Sequence, residues 1–188
     1  MFPPRPTHLL HVLLADIIQP GDTVIDATAG NGHDTVFLAE AVGDAGRVIA
    51  IDIQAEAISS TRRVLEEKRF ENRVDLHEGS HAELAQYVAK SSVAAIVFNL
   101  GYLPGADHAV MTQVDSTLQA LAGAVIALKE GGVLAVVCYP GHKGGDVESA
   151  RVESCLRDLE NFRLAKYELL STQRASPFLL IACKKSDS

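Results

Sequence analysis

The chain has 188 residues with 47% hydrophobic and 22% charged residues, the balance of a globular domain rather than a disordered segment. A net charge of −7 argues against a protein that coats nucleic acid through a general positive field. The apolar runs LLHVLLADII and VLAVVCY are too short to span a bilayer, and MFPPRPTH lacks a secretory h-region. Cys138, Cys155 and Cys183 are far apart and form no CxxC pair, so the expectation is reduced thiols in a cytoplasmic protein, without zinc.

In chain order, HLLHVLLADII has helical spacing and stops at Pro20-Gly21. DTVIDAT reads as a buried strand and HDTVFLAEAVG as a helix closed by Gly43. RVIAIDI is a second strand, followed by the polar-faced helix AEAISSTRRVLEEKR. VDLHEG is a third strand, HAELAQYVA a short helix and AAIVFNL a fourth strand. The loop GYLPGADH leads to the helix TQVDSTLQALAGAVIALK, which ends at Gly131-Gly132. VLAVVCYP is a fifth strand, GHKGGD a polar loop and VESARVESCLRDLE a helix. FRLAKYELL and PFLLIACKK close the chain as an antiparallel pair. Near-continuous apolar strands alternating with helices predict one α/β domain over residues 1–188. Its seven-stranded sheet is doubly wound, Rossmann-like and mostly parallel, with helices on both faces.

Ligands of such sheets sit at the carboxyl ends of the strands. VIDATAGNG puts Gly30 and Gly32 at the first of these ends, where residues without Cβ let the backbone approach a ligand closely. Asp26 can orient this loop or accept from a cationic ligand group, and Asp34 opens the next helix. GNGHDTV carries no third glycine after Gly32, and a pyrophosphate would face repulsion from Asp26 and Asp34. Asp52, 20 residues after Gly32, ends the second strand, where a carboxylate can accept both hydroxyls of a ribose. A cationic cofactor with a ribose and no phosphate suits this loop better than NAD. S-adenosylmethionine answers that description.

An acid, three residues and G-x-G resembles the first motif of class I S-adenosylmethionine-dependent methyltransferases, with Thr28 where the first glycine usually stands. DATAGNGHDTVFLAE, DIQAEAI, GSH, FNLGYLPG, YPGHKGG and SPFLLIACKK, in that order, resemble the YtqB-like rRNA methylase family over nearly the whole chain. Members of that family methylate the aminomethyl group on the wobble uridine of tRNA, so the resemblance implies that activity on an anticodon loop. It further implies that Ala29, Gly30 and Asn31 line the methionine end of the cofactor, with Gly32 also among the cofactor-binding residues. Asp52 would hold the ribose, with Ile53 and Gln54 beside it over the adenosine, and Ser80 and His81 would lie near the adenine.

Asn99-Leu100-Gly101-Tyr102 ends the fourth strand and resembles the (D/N)PPY motif of enzymes that methylate amino nitrogens, with Leu100-Gly101 in place of the prolines. A carboxamide oxygen and a backbone carbonyl there can accept the N–H groups of a target amine and aim its lone pair. Tyr102 can stack on a base or close the pocket. Asp107, His108, His142 or water could take the proton of an alkylammonium group. His142 and Lys143 lie in the glycine-rich loop YPGHKGGD. Local basic surface could come from Arg62, Arg63, Lys68, Arg69, Arg73, Lys143, Lys184 and Lys185, on one copy or across a homodimer. An rRNA or small-amine methyltransferase, or a nucleoside-binding protein without chemistry, are the competing readings.

Overall fold

Period-two burial along the inner strands shows how this sheet is built. Val24, Val48, Ala95, Val97, Val133, Ala135 and Val137 point into one core, with Leu10, Leu14, Leu38 and Val42. Their neighbours Ile25, Ile49, Ile96, Phe98, Leu134 and Val136 point into the other, with Leu84, Leu121, Ala124, Val152 and Leu156. Strands apolar on both faces cannot lie at a surface, so helices must cover each side. The computed structural model describes residues 4–101, 114–141, 144–170 and 175–186.

Among these residues the elements are α1 (Pro6–Ile17), β1 (Thr23–Asp26), α2 (His33–Val42), β2 (Arg47–Asp52), α3 (Ala55–Lys68) and β3 (Val74–Glu78). Then follow β4 (Val93–Asn99), α4 (Val114–Ala127), β5 (Leu128–Cys138), α5 (Gly145–Arg157), β6 (Phe162–Glu168) and β7 (Phe178–Lys184). The sheet order is β3-β2-β1-β4-β5-β7-β6. β7 runs antiparallel to both β5 and β6, and the other pairs are parallel. The Rossmann-like sheet with its antiparallel C-terminal pair is therefore as the sequence predicts. Strand order reverses between β1 and β4, and this switch point opens a crevice above their carboxyl ends.

Two local readings are corrected. HAELAQYVA is a 310 turn over His81–Tyr87 rather than an α-helix. Ser80 caps it by accepting from Ala82 N, and its Leu84 plugs into the core under α4. The helix expected through Lys129 ends at Ala127; Leu128 already pairs with Val93, and pairing resumes at Ala95 with Val133. The residues between, including Gly131 at φ 71°, bulge out of the ladder. Lys184 Nζ donates to the carbonyls of Val125 and Leu128, satisfying the helix end.

No helix among the described residues is long and apolar enough to cross a membrane.

Candidate active site

β1 delivers the chain to the crevice and then turns sharply. Ala27 N donates to Val97 O and Ala29 N to Ile51 O, so the loop after β1 is stitched to β4 on one side and to β2 on the other. Gly30 (φ 54°) and Gly32 (φ 83°) both lie in the left-handed region. Behind Gly32 stands Thr61 of α3: a Cβ at position 32 would meet its Cα at 3.2 Å. Thr61 Oγ1 donates to Gly30 O at 3.0 Å, and Ser60 Oγ donates to Asn31 Oδ1 at 3.3 Å. α3 thus holds the loop from below. Beside Asn31, an open cleft of about 560 Å³ is lined by Ala55, Glu56, Ser59, Ser60 and Arg63.

Asp26 is wholly buried. Its oxygens accept from Thr28 N at 3.1 Å and Thr35 Oγ1 at 2.6 Å. Of the two roles open to it, these bonds are those of orienting the loop from inside. Burial, reinforced by the charge of Asp34, pushes its carboxyl up to about 7.

Asp52 stands at the tip of β2. Its oxygens accept from Gly30 N at 2.9 Å and Gln54 N at 3.0 Å, which fixes the carboxylate and leaves a lone pair on each oxygen. Next to it Ile53 is 63% exposed, an apolar side chain at the rim of the crevice. Across β3 the His81 ring packs edge-on against Phe98, and its Nε2 is buried without a hydrogen-bond partner. Burial holds that imidazole at about 4, so it is neutral.

On the other side of the switch point the side chains form a connected set. Asn99 N donates to Thr28 Oγ1 at 2.7 Å, joining the tip of β4 to the glycine loop. Asn99 Nδ2 donates to Asp34 Oδ2 at 2.6 Å, and Tyr139 Oη donates to Asn99 Oδ1 at 2.9 Å. His11 Nε2 lies 2.6 Å from Asp34 Oδ1, its ring stacked on Phe37. Burial, followed by the Asp34 charge, pushes the Tyr139 hydroxyl up, so it stays a donor. Asp34, expected beside the cofactor, is tied to Asn99. His11 is marked by no motif, and Tyr139 opens the YPGHKGG stretch without being singled out there. Tyr139 follows β5 at a strand end, which is a weak signal, and His11 carries none.

Tyr102, Asp107, His108, His142 and Lys143 lie outside the described residues. Part of the expected basic surface is spent internally. Arg73 donates to Ala39 O, pairs with Asp44 and covers the Phe70 ring, while Lys184 and Lys185 bind backbone carbonyls. Arg62, Arg63 and Lys68 remain exposed on α3.

Residues 48–183 match the family model described as "Putative rRNA methylase". The chain belongs to that family. Within and around it, a Clostridium thermocellum protein of the same description superposes with a TM-score of 0.94. The two are 35% identical, over 98% of this chain and all of the other. A Streptococcus mutans methyltransferase solved in complex with SAH gives a TM-score of 0.87 at 36% identity, covering 96% and 98% of the two chains. An Arabidopsis thaliana chloroplast protein, tRNA (mnm(5)s(2)U34)-methyltransferase, is 37% identical over 97% of this chain and 70% of its own length.

Proposed function

We propose that this family member is a cytoplasmic S-adenosylmethionine-dependent methyltransferase that methylates the aminomethyl nitrogen of a wobble uridine in the tRNA anticodon loop. The observation that carries this reading is the seating of Asn99 at the tip of β4, bonded to the glycine loop through Thr28 and locked by Asp34 and Tyr139. An amine acceptor site thereby adjoins a cofactor site. The likeness to the Arabidopsis wobble methyltransferase supports the choice of amine.

The residues present fit the cofactor. Gly30 and Gly32, which carry no side chain, leave room beside Asn31 for its amino-acid end. Asp52 offers one free lone pair on each oxygen to the two ribose hydroxyls, and Ile53 offers an exposed apolar surface to a flat base. Ser80 and His81 close the adenine side, where a neutral, partly buried imidazole adds no charge to repel a cation. When bound, S-adenosylmethionine supplies a methyl group activated by a sulfonium leaving group.

Asn99 does the positioning. With Nδ2 given to Asp34 and Tyr139 donating to its oxygen, the carboxamide cannot flip. The remaining lone pair on Oδ1 can accept one N–H of the acceptor amine, which fixes the direction of its nitrogen. Orientation of this kind replaces a search through many unproductive encounters and is the main catalytic term available here. Exposed Arg62, Arg63 and Lys68 on α3 supply positive charge for phosphate on a chain that is acidic as a whole.

The test is to incubate the protein with methyl-labelled cofactor and tRNA whose wobble uridine ends in the unmethylated aminomethyl group, then digest to nucleosides. Label in the wobble nucleoside is the expected result. Label only when ribosomal RNA or a small amine is supplied would replace this substrate.

A further inference from the structure

An alkylammonium group has no lone pair to methylate. If it titrates as lysine does, near pH 10.4, almost none of it is free at neutral pH. A group in the site must receive a proton, and the described residues offer one carboxylate in the right place. Asp34 lies directly against Asn99, with a side chain 11% exposed, so it is walled in but not sealed. Each of its oxygens already accepts one hydrogen bond, from the Asn99 amide and from His11, which leaves a lone pair on each. Asp26 and Asp52 are otherwise committed, to the inside of the loop and to the far tip of β2.

We propose that Asp34 takes the proton shed by the substrate ammonium, and that His11 of α1 is the positioning residue that holds Asp34 ready. This rests on the aminomethyl substrate proposed above. The N–H electron pair stays on nitrogen as that nitrogen's lone pair, and the proton moves to a carboxylate oxygen of Asp34. The lone pair then forms the N–C bond to the methyl group while the C–S pair returns to sulfur. The product leaves as a secondary ammonium, and the Asp34 carboxyl returns its proton to water.

His11 is suited to the supporting role. Its ring is fixed by stacking on Phe37 at 4.1 Å with 6° between planes. Its Nε2 at 2.6 Å pins Oδ1, so that Oδ2 turns to Asn99. Among the described residues, the titratable groups around this pair are Tyr139 just after β5, reached through Asn99, Asp26 behind Asp34 on β1, and His8 one turn back on α1.

The experiment compares wild type, His11→Gln, His11→Leu and Asp34→Asn on tRNA carrying the aminomethyl wobble uridine, with kcat, KM and cofactor Kd read from pH 6 to 10. Gln keeps an N–H about where Nε2 stands, whereas Leu keeps bulk without a donor. Asp34→Asn should lose about 10²–10⁴-fold in kcat near pH 7. His11→Leu should lose about tenfold or more, and His11→Gln should stay within about threefold of wild type. The deficits should shrink as pH approaches 10, where solvent supplies free amine, while cofactor Kd stays within about threefold throughout. Full kcat in His11→Leu, equal losses in the Gln and Leu variants, or a deficit that persists undiminished at pH 10 would each overturn the assignment. Failure of the wild type itself to label the wobble amine would instead remove the substrate reading on which it stands.

Discussion

The two halves of the crevice are built by different means. On the β1–β2 side, hydrogen bonds run largely through the backbone: Gly30 N and Gln54 N to Asp52, and Ala29 N to Ile51 O. On the β4–β5 side, His11, Asp34, Asn99 and Tyr139 are joined almost wholly through side chains. A backbone cradle accepts the invariant part of a reaction, a nucleoside that never changes. A side-chain network can be retuned to an acceptor one residue at a time. The difference teaches that changes in the first half should appear in cofactor binding and changes in the second in turnover.

The sharpest way to break that division is Asp52→Ala. The proposed pair of charge-assisted hydrogen bonds to the ribose would be lost, each worth about 1.5–3 kcal/mol, so cofactor Kd measured by calorimetry should rise about 10²–10⁴-fold. Asn99→Ala should do the opposite. Single-turnover methyl transfer should fall about 10²-fold, with cofactor Kd within about threefold of wild type. A large loss of cofactor affinity in the Asn99 variant would merge the two halves.

Gly32→Ala sharpens the backbone side. The left-handed conformation at φ 83° costs an L-residue about 1–2 kcal/mol, and the new Cβ would press on Thr61. Thermal unfolding should come about 2–8 °C earlier, with weaker cofactor binding.

The smallest effects concern pH and separate two buried groups. Asp26, raised to about 7 in the fold, favours the native state fully below its ordinary value of 3.8. That contribution is lost as pH rises through about 7. His81, held at about 4, acts in the other direction: its contribution is present above 6.5 and is lost as pH falls towards 4. Thermal midpoints of Asp26→Asn should therefore lack the decline with rising pH between 4 and 7. Those of His81→Phe should lack the loss on acidification.

The same division explains what could be read from the sequence. The β1–β2 half is written in short stretches, because a glycine loop and an acid at the next strand end follow from local chain direction. Strand assignments were legible because buried strands are continuous apolar runs. Where glycines interrupted such a run, at Gly131-Gly132, the boundary shifted by a few residues, since Leu128 could still pair with Val93 across the bulge. The β4–β5 half was legible only at Asn99. His11 meets Asp34 across 23 positions through the packing of α1 on α2, and Tyr139 meets Asn99 across 40 through the pairing of β4 with β5, neither of which a local pattern encodes. For the same reason the partners of Asp34 were hidden: its neighbours in sequence are the glycine loop, and its partners in space belong to β4 and α1.

A crystal structure of the protein with S-adenosylhomocysteine tests the central claim most directly. The account predicts both ribose hydroxyls within hydrogen-bond distance of Asp52 and the sulfur turned towards Asn99. A ribose held elsewhere, or a sulfur facing away from the tip of β4, would contradict it.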